Sequence, residues 1–308
     1  MPKFDILVAG EINPDLILTG DVTPEFGQVE KLVDSATLTV GSSSVIFACG
    51  AARLGLKVAF VGVCGADIFG RFILDEMSRR GIDISAVRVD PDRETGLTVI
   101  LNKGHDRAML THTGAIADLR AEAVTDDLLC QSRHLHIASY FLQTALQPGL
   151  SDLFRRARLL GLTASLDTNW DPSGRWIGVH ELLSLTDIFL PNENEAIAIS
   201  QARTDGQALR RLARQAGTVA MKRGAQGALA CRGEETASAC ALSGDVVDTV
   251  GAGDTFDAGF IYGFLNGWSL EKALWLAVVC GSLSTRRAGG TAAQPTLEEA
   301  MQYVPSAG

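Results

Sequence analysis

Cysteine is scarce and scattered in this sequence. Six residues among 308, Cys49, Cys64, Cys130, Cys231, Cys240 and Cys280, form no CxxC pair and no metal-ligand spacing. That excludes a disulfide framework and a cysteine-held metal, and it points to reduced thiols in a cytoplasmic protein. Positive charge is also in deficit: 27 Lys and Arg stand against 36 Asp and Glu, for a net charge of -9, which argues against nucleic acid as a partner. No apolar run approaches the roughly 20 residues of a membrane span, so no membrane partner is expected. The start, Met-Pro-Lys-Phe-Asp, leads straight into a strand rather than a leader. No GxGxxG follows that first strand, and the Walker A and protein-kinase motifs are missing, which removes dinucleotide oxidoreductases and those two classes of phosphate enzyme.

What the chain does contain is the stretch Val247-Asp248-Thr249-Val250-Gly251-Ala252-Gly253-Asp254-Thr255-Phe256. A turn-prone run leads into two glycines around an alanine, and an acid then opens an apolar helix. The first amides of a helix lack intrahelical acceptors and sit at the positive end of the aligned peptide dipoles. With no side chains at Gly251 and Gly253, an anion can approach the backbone of residues 251 to 254. A carboxylate at that mouth repels the anion unless it has a proton to collect, so Asp254 reads as a general base. The GxGD spacing by itself also fits a plain turn in which Asp254 caps the helix.

Buried strands are expected at 4–9, 58–62, 134–139, 163–167, 188–191 and 218–222, separated by helical segments such as 148–160 and 205–215. This alternation predicts an α/β fold with a mostly parallel sheet, helices on both faces, and functional residues just past the strand C-termini. Segments of about 12–40 and 94–114 interrupt it with exposed-face strands and a hairpin loop at Lys103-Gly104-His105-Asp106, forming a small second sheet within one domain spanning 1–308. His105 and His112 read as solvated residues. Asp15, behind Pro14, either finishes a turn or accepts hydrogen bonds from a polyol. Asp67 caps the helix that ends at Gly81. Tyr140 either faces a ligand or fills the core.

The string Asp248-Thr-x-Gly251-Ala-Gly-Asp254-x-Phe256, with small residues at 258 and 259, resembles the C-terminal signature of the ribokinase-like (PfkB-type) carbohydrate kinases, and Gly65-x-Asp67-x-x-Gly70 matches their N-terminal one. The resemblance implies a ribokinase-like three-layer α/β/α fold whose small sheet is a lid over the acceptor and a surface for homodimer formation. It implies transfer of the γ-phosphoryl group of ATP to a hydroxyl of a sugar, a sugar-like polyol or a sugar acid. Asp254 would be the base, and Gly251, Ala252 and Gly253 the anion hole. Asp15, Gly41, Ser42, Asn169 and, as in kinases of sugar acids, Tyr140 would meet the substrate. Asn192, Lys222, Gly224 and Gly227 would lie against the nucleotide, while Ala277 and Gly281 leave room for adenine. Mg2+ would be held through water near Glu195, and K+ by Asp248, Val250 and Ala288.

The chain also departs from the pattern. Ser42 replaces the second glycine of the Gly-Gly-x-x-x-Asn motif, Ile46 stands where its Asn belongs, and Asp171 takes the place of an Arg. These departures keep open a nucleoside kinase, or a non-catalytic ligand sensor on the same fold. A phosphorylated sugar is disfavoured, because Ser43 adds no positive charge to the glycine loop.

Overall fold

The first strand, β1 (Ile6–Ala9), is buried on both faces: Ile6 and Val8 enter one core, Leu7 and Ala9 another. Side chains that alternate into two separate cores require helices above and below the sheet. The computed structural model describes residues 2–103 and 106–305, so the expectation for His105 lies outside the described residues.

After β1 the chain runs through β2 (Pro14–Thr19), β3 (Ser35–Val40), α1 (Ser43–Arg53), β4 (Val58–Gly65), α2 (Ile68–Arg79), β5 (Asp83–Asp90), β6 (Leu97–Lys103) and β7 (Asp106–His112). Next come α3 (Asp126–Cys130), β8 (His134–Ile137), α4 (Leu150–Leu159), β9 (Thr163–Leu166), α5 (Val179–Leu183), β10 (Ile188–Phe189), α6 (Glu193–Ser200) and α7 (Asp205–Ala213). The last part holds β11 (Thr218–Lys222), β12 (Ala228–Arg232), β13 (Glu235–Ala239), α8 (Ala252–Leu265), α9 (Leu270–Ser284) and α10 (Leu297–Met301).

Nine strands form the main sheet in the order β13-β12-β11-β10-β9-β8-β1-β4-β5, parallel from β11 to β5 with β12 and β13 antiparallel at one edge. The chain leaves β1 for β4 and β5 on one side and returns on the other at β8, so the order reverses between β1 and β8. In open parallel sheets the crevice at such a reversal, beyond the strand C-termini, is where ligands bind. The expected α/β/α layering is present. β5 and β13 were not anticipated, because β5 is half-exposed and lacks a continuous apolar run.

The second sheet has the order β3-β2-β6-β7, within the two segments expected to form it. Its two faces differ. Cross-strand neighbours share a face, so Asp15, Thr39, Thr98 and Thr111 lie on one side together with Ile17 and Ile100. Ile17 and Ile100 pack on Val250, just before the Gly251 turn, which directs this face toward the site. The opposite face carries Leu16, Leu38, Val99 and Leu110 in one row and Leu18, Ala36, Leu101 and Ala108 in the next. Asp15 is thus part of a strand and does not finish a turn. Asp67 caps α2 as expected, its Oδ1 accepting from the Gly70 amide at 2.8 Å.

Candidate active site

α8 begins at Gly251, which adopts a left-handed conformation (φ 70°) and supplies no side-chain cap. A side chain there would also strike Gly290, whose Cα lies 2.7 Å from the position of a Cβ, so the turn requires glycine on two counts. Among the described residues the amides of Gly251, Gly253 and Asp254 have no acceptor, whereas Thr255 already bonds to the Gly251 carbonyl at 3.0 Å. Three free N–H groups at the start of a 14-residue helix form an anion site. The turn is half-exposed, and Asp254 beside it is buried, 8% exposed.

Around Asp254 the strand ends gather more charge than the sequence suggested. Asp167, just after β9, and Asp257, one turn along α8, each place a carboxylate oxygen so that these two and one of Asp254 lie within 4.8 Å of one another. Lys222, the last residue of β11, sets its Nζ 2.7 Å from Asp167 Oδ2 and 3.1 Å from Asp257 Oδ2. The same ammonium lies 3.7 Å from where a Cβ on Gly253 would sit, directly beside the anion turn. Lys222 is expected against the nucleotide; its side chain is held beside the anion turn by two buried carboxylates. Burial, reinforced by the negative charge of Asp167, raises the Asp254 carboxyl to about 8, with Lys222 opposing. Burial pushes Asp257 well above the ordinary range; burial is also the largest influence on Asp167, but the charge of Lys222 together with hydrogen bonds from Asp257, Lys222 and the Asn169 amide holds its carboxyl below the ordinary range.

Beside this cluster lie residues from β1, α1, β8 and the small sheet. Glu11 accepts hydrogen bonds from the Ser44 amide (3.1 Å), the Ser44 hydroxyl and the Ser139 hydroxyl (2.8 Å), tying α1 to the end of β8. Asp15 lies under Gly41, where a Cβ would come within 2.2 Å of Asp15 Oδ1, so glycine at 41 makes room for this acid. Burial raises Asp15 to about 7 against the nearby charge of Arg107, which reaches from β7 to the Thr249 hydroxyl at 3.4 Å. Ser42 caps α1, donating to the Glu11 carbonyl at 2.6 Å and accepting from the Val45 amide.

Several expectations need correction. Tyr140 is buried in the core, edge-on to Phe141, with its hydroxyl against Gly178, and does not face the crevice. Asn169 accepts from the Ser139 amide at 2.8 Å and donates to Ser43 Oγ at 3.1 Å, so it pins β9 to β8 and α1. Ala277 and Gly281 lie against α8: the Ala277 Cα is 2.9 Å from a Cβ position on Gly259, and a Cβ on Gly281 would lie 3.0 Å from the Ala252 carbonyl oxygen. Their small size lets α9 seat on α8. Gly227, at φ 81°, is needed because β13 crosses it, the Ala239 carbonyl lying 2.0 Å from a Cβ position; Gly224 has open space around it.

Asn192 and Glu195 are side by side, as their spacing implied, but bonded to each other. Both Glu195 oxygens accept from Asn192, from its amide at 2.9 Å and its Nδ2 at 2.6 Å, in a capping box. Burial raises Glu195 to about 7. Ile46 packs against Gly251 and Gly290 and buttresses the anion turn. Asp171 staples its own loop, accepting from the amides of Ser173, Arg175 and Trp176. Asp248 accepts from the amides of Val250 (3.0 Å) and Gly289 (2.9 Å), binding the 288–290 loop to the anion turn; Ala288 itself is exposed.

The profile of the pfkB family carbohydrate kinases matches residues 3–297. The chain belongs to this family. It is 30% identical to the 2-dehydro-3-deoxygluconokinase of Bacillus subtilis, over 91% of this chain and 90% of that protein. It is 29% identical to the 5-dehydro-2-deoxygluconokinase of Geobacillus thermodenitrificans, over 87% and 85%. In fold it superposes on the Arabidopsis thaliana ribokinase complexed with ribose and ATP with a TM-score of 0.84, at 22% identity and 99% coverage of both chains. The anion turn and the reversal in strand order thus stand in a carbohydrate kinase of the ribokinase fold.

The raised pKa of Asp254 makes a stability prediction. Its folded value, about 8, lies above the value of 3.8 expected of an unfolded Asp, so the stabilising contribution is full below about pH 4 and is lost as pH rises through 8. Ligand-free protein therefore loses stability across that window. Asp254→Asn should raise the melting temperature by roughly 2–5 °C at alkaline pH and hardly at all at acid pH. A calorimetric shift equal at both pH values would contradict this.

Proposed function

We propose that this carbohydrate kinase transfers the γ-phosphoryl group of ATP to a hydroxyl of a sugar acid or a sugar-like polyol, with Asp254 as general base. The observation that carries the reading is the pairing of three unengaged amides, at Gly251, Gly253 and Asp254, with a carboxyl whose proton affinity burial has raised toward neutrality. An acceptor alcohol enters between the anion turn and the face of the small sheet that bears Asp15, Thr39, Thr98 and Thr111. Asp254 removes the hydroxyl proton as the new O–P bond forms and the bond to the ADP oxygen breaks. The amides take the charge that builds on the phosphoryl oxygens.

The acidic turn at Asn192 and Glu195 would hold Mg2+ through the ion's waters and not directly, since both Glu195 oxygens are already bonded to Asn192, and the ion would supply neutralisation of the nucleotide phosphates. The two dehydro-deoxygluconokinase relatives support a sugar acid as acceptor. Asp254→Asn should lower kcat by about 10² or more while leaving the fold and ATP affinity intact. Coupled ADP release measured with sugar acids, neutral sugars and nucleosides checks both parts. Retained turnover in the variant removes Asp254 from the mechanism. A nucleoside preferred over every sugar replaces the acceptor class, and silence across the panel with intact ATP binding favours a ligand sensor.

The loop that Asp248 ties to the anion turn would hold K+ through Asp248, Val250 and Ala288. Turnover should then be several-fold higher in K+ than in Na+ at matched ionic strength, and equal rates would remove the ion from this reading. The outer face of the small sheet, with Leu16, Leu38, Val99 and Leu110 in one row, is apolar where a solvated sheet face would alternate toward polar residues, which supports a homodimer through that face. Light scattering should give twice the chain mass, and Leu110→Lys should shift it toward one. A monomeric wild type at all concentrations tested would refute the dimer.

A further inference from the structure

Family membership does not explain why a lysine is buried beside the base. Three carboxylates, Asp167, Asp254 and Asp257, come within 4.8 Å of one another, a spacing that would suit a divalent ion. A protein ammonium stands among them, with Lys222 Nζ bonded to Asp167 and Asp257 and adjacent to Gly253. The surroundings supply few other partners. Asp257 Oδ1, Thr168 Oγ1 and His136 Nε2 are buried without hydrogen-bond partners among the described residues.

We propose that Lys222 and Asp167 are positioning residues for the phosphoryl-transfer base. On this proposal a fixed internal ion pair, steadied by Asp257, takes the place of a metal ion, holds the carboxylate of Asp254 unpaired, and sets how tightly it grips a proton.

The argument is one of charge and reach. Asp254 is faced from β9 by Asp167, from β11 by Lys222, from the end of β1 by Glu11, from the start of α1 by Ser43 and from its own helix by Asp257. On β8, His136 stacks flat on Phe47 with ring centroids 3.6 Å apart, and burial holds it neutral. Lys222 is therefore the one cation among these groups. If it paired with Asp254 directly, the base would be a committed ion-pair partner with a depressed proton affinity. Its partners are instead Asp167 and Asp257, so Asp254 feels an attenuated positive charge together with the negative charge of Asp167. Those two influences have opposite signs and come from residues 55 positions apart in the chain, so removing either one must move Asp254 in a direction fixed beforehand.

The inference rests on the proposed role of Asp254 as base, but its test does not use turnover. Protein labelled with 13C at the aspartate side-chain carboxyl gives a resonance for Asp254, assigned by its loss in Asp254→Asn, whose midpoint is followed with pH in the ligand-free chain. Relative to wild type, Lys222→Gln should raise the midpoint by about one pH unit or more, Asp167→Asn should lower it by a similar amount, and Lys222→Arg should keep it near the wild-type value. A purely structural pair would disturb folding without this opposed displacement. Shifts in the same direction, or none, overturn the proposal. Should Lys222→Gln fail to fold, the direction in Asp167→Asn decides alone. Should Asp254→Asn keep full turnover, the base reading fails while the titrations still report the pair.

Discussion

The ammonium of Lys222 between two buried carboxylates is the constraint on which the site depends. Three acids within one small volume would repel each other and resist burial unless a positive charge met them or protons neutralised them. Lys222 meets one of these needs, and the raised proton affinity of Asp257 meets the other. The ion pair also joins elements that are distant in sequence: Asp167 after β9, Lys222 at the end of β11 and Asp257 on α8. The helix that carries the anion turn is thus held to the sheet at the point where chemistry requires it.

The strand ends and loops around this ion pair are organised largely by bonds to the backbone. Glu11 ties α1 to the end of β8, Asn169 ties β9 to both, and Asp248 ties the 288–290 loop to the anion turn. Each is an acid or amide whose hydrogen-bonding capacity is used to fix the chain at a strand end. Polar groups placed this way preorganise the walls of a site and leave its central carboxylate free.

The parts of this arrangement that depend on neighbouring residues were legible in the sequence. The anion turn at Gly251 to Asp254, the capped helix at Asp67 and the adjacency of Asn192 and Glu195 all follow from helix-end chemistry within a few positions. The layered α/β fold and the small sheet followed from hydrophobic periodicity. What escaped depends on which strands lie side by side. Lys222 looked like a loop cation because nothing near it in sequence demands a charge; its partners come from β9 and α8. Asp257 had a local signal, an acid three residues beyond Asp254 on an otherwise apolar helix, and it was overlooked. Ala277, Gly281 and Ile46 show the limit from another side, since a small or apolar residue records only that something is close. The close neighbour is another helix for the first two and the anion turn for Ile46, and only the packing reveals which.

Val250 belongs to the same apolar cluster as Ile17 and Ile100 of the small sheet, and it immediately precedes the first glycine of the anion turn. The small sheet and the anion turn therefore share a wall. Lifting the sheet would uncover three aliphatic side chains to water, at a cost on the order of 1–3 kcal/mol for each one fully exposed. The position of the small sheet and the conformation of the anion turn are accordingly coupled through one apolar contact.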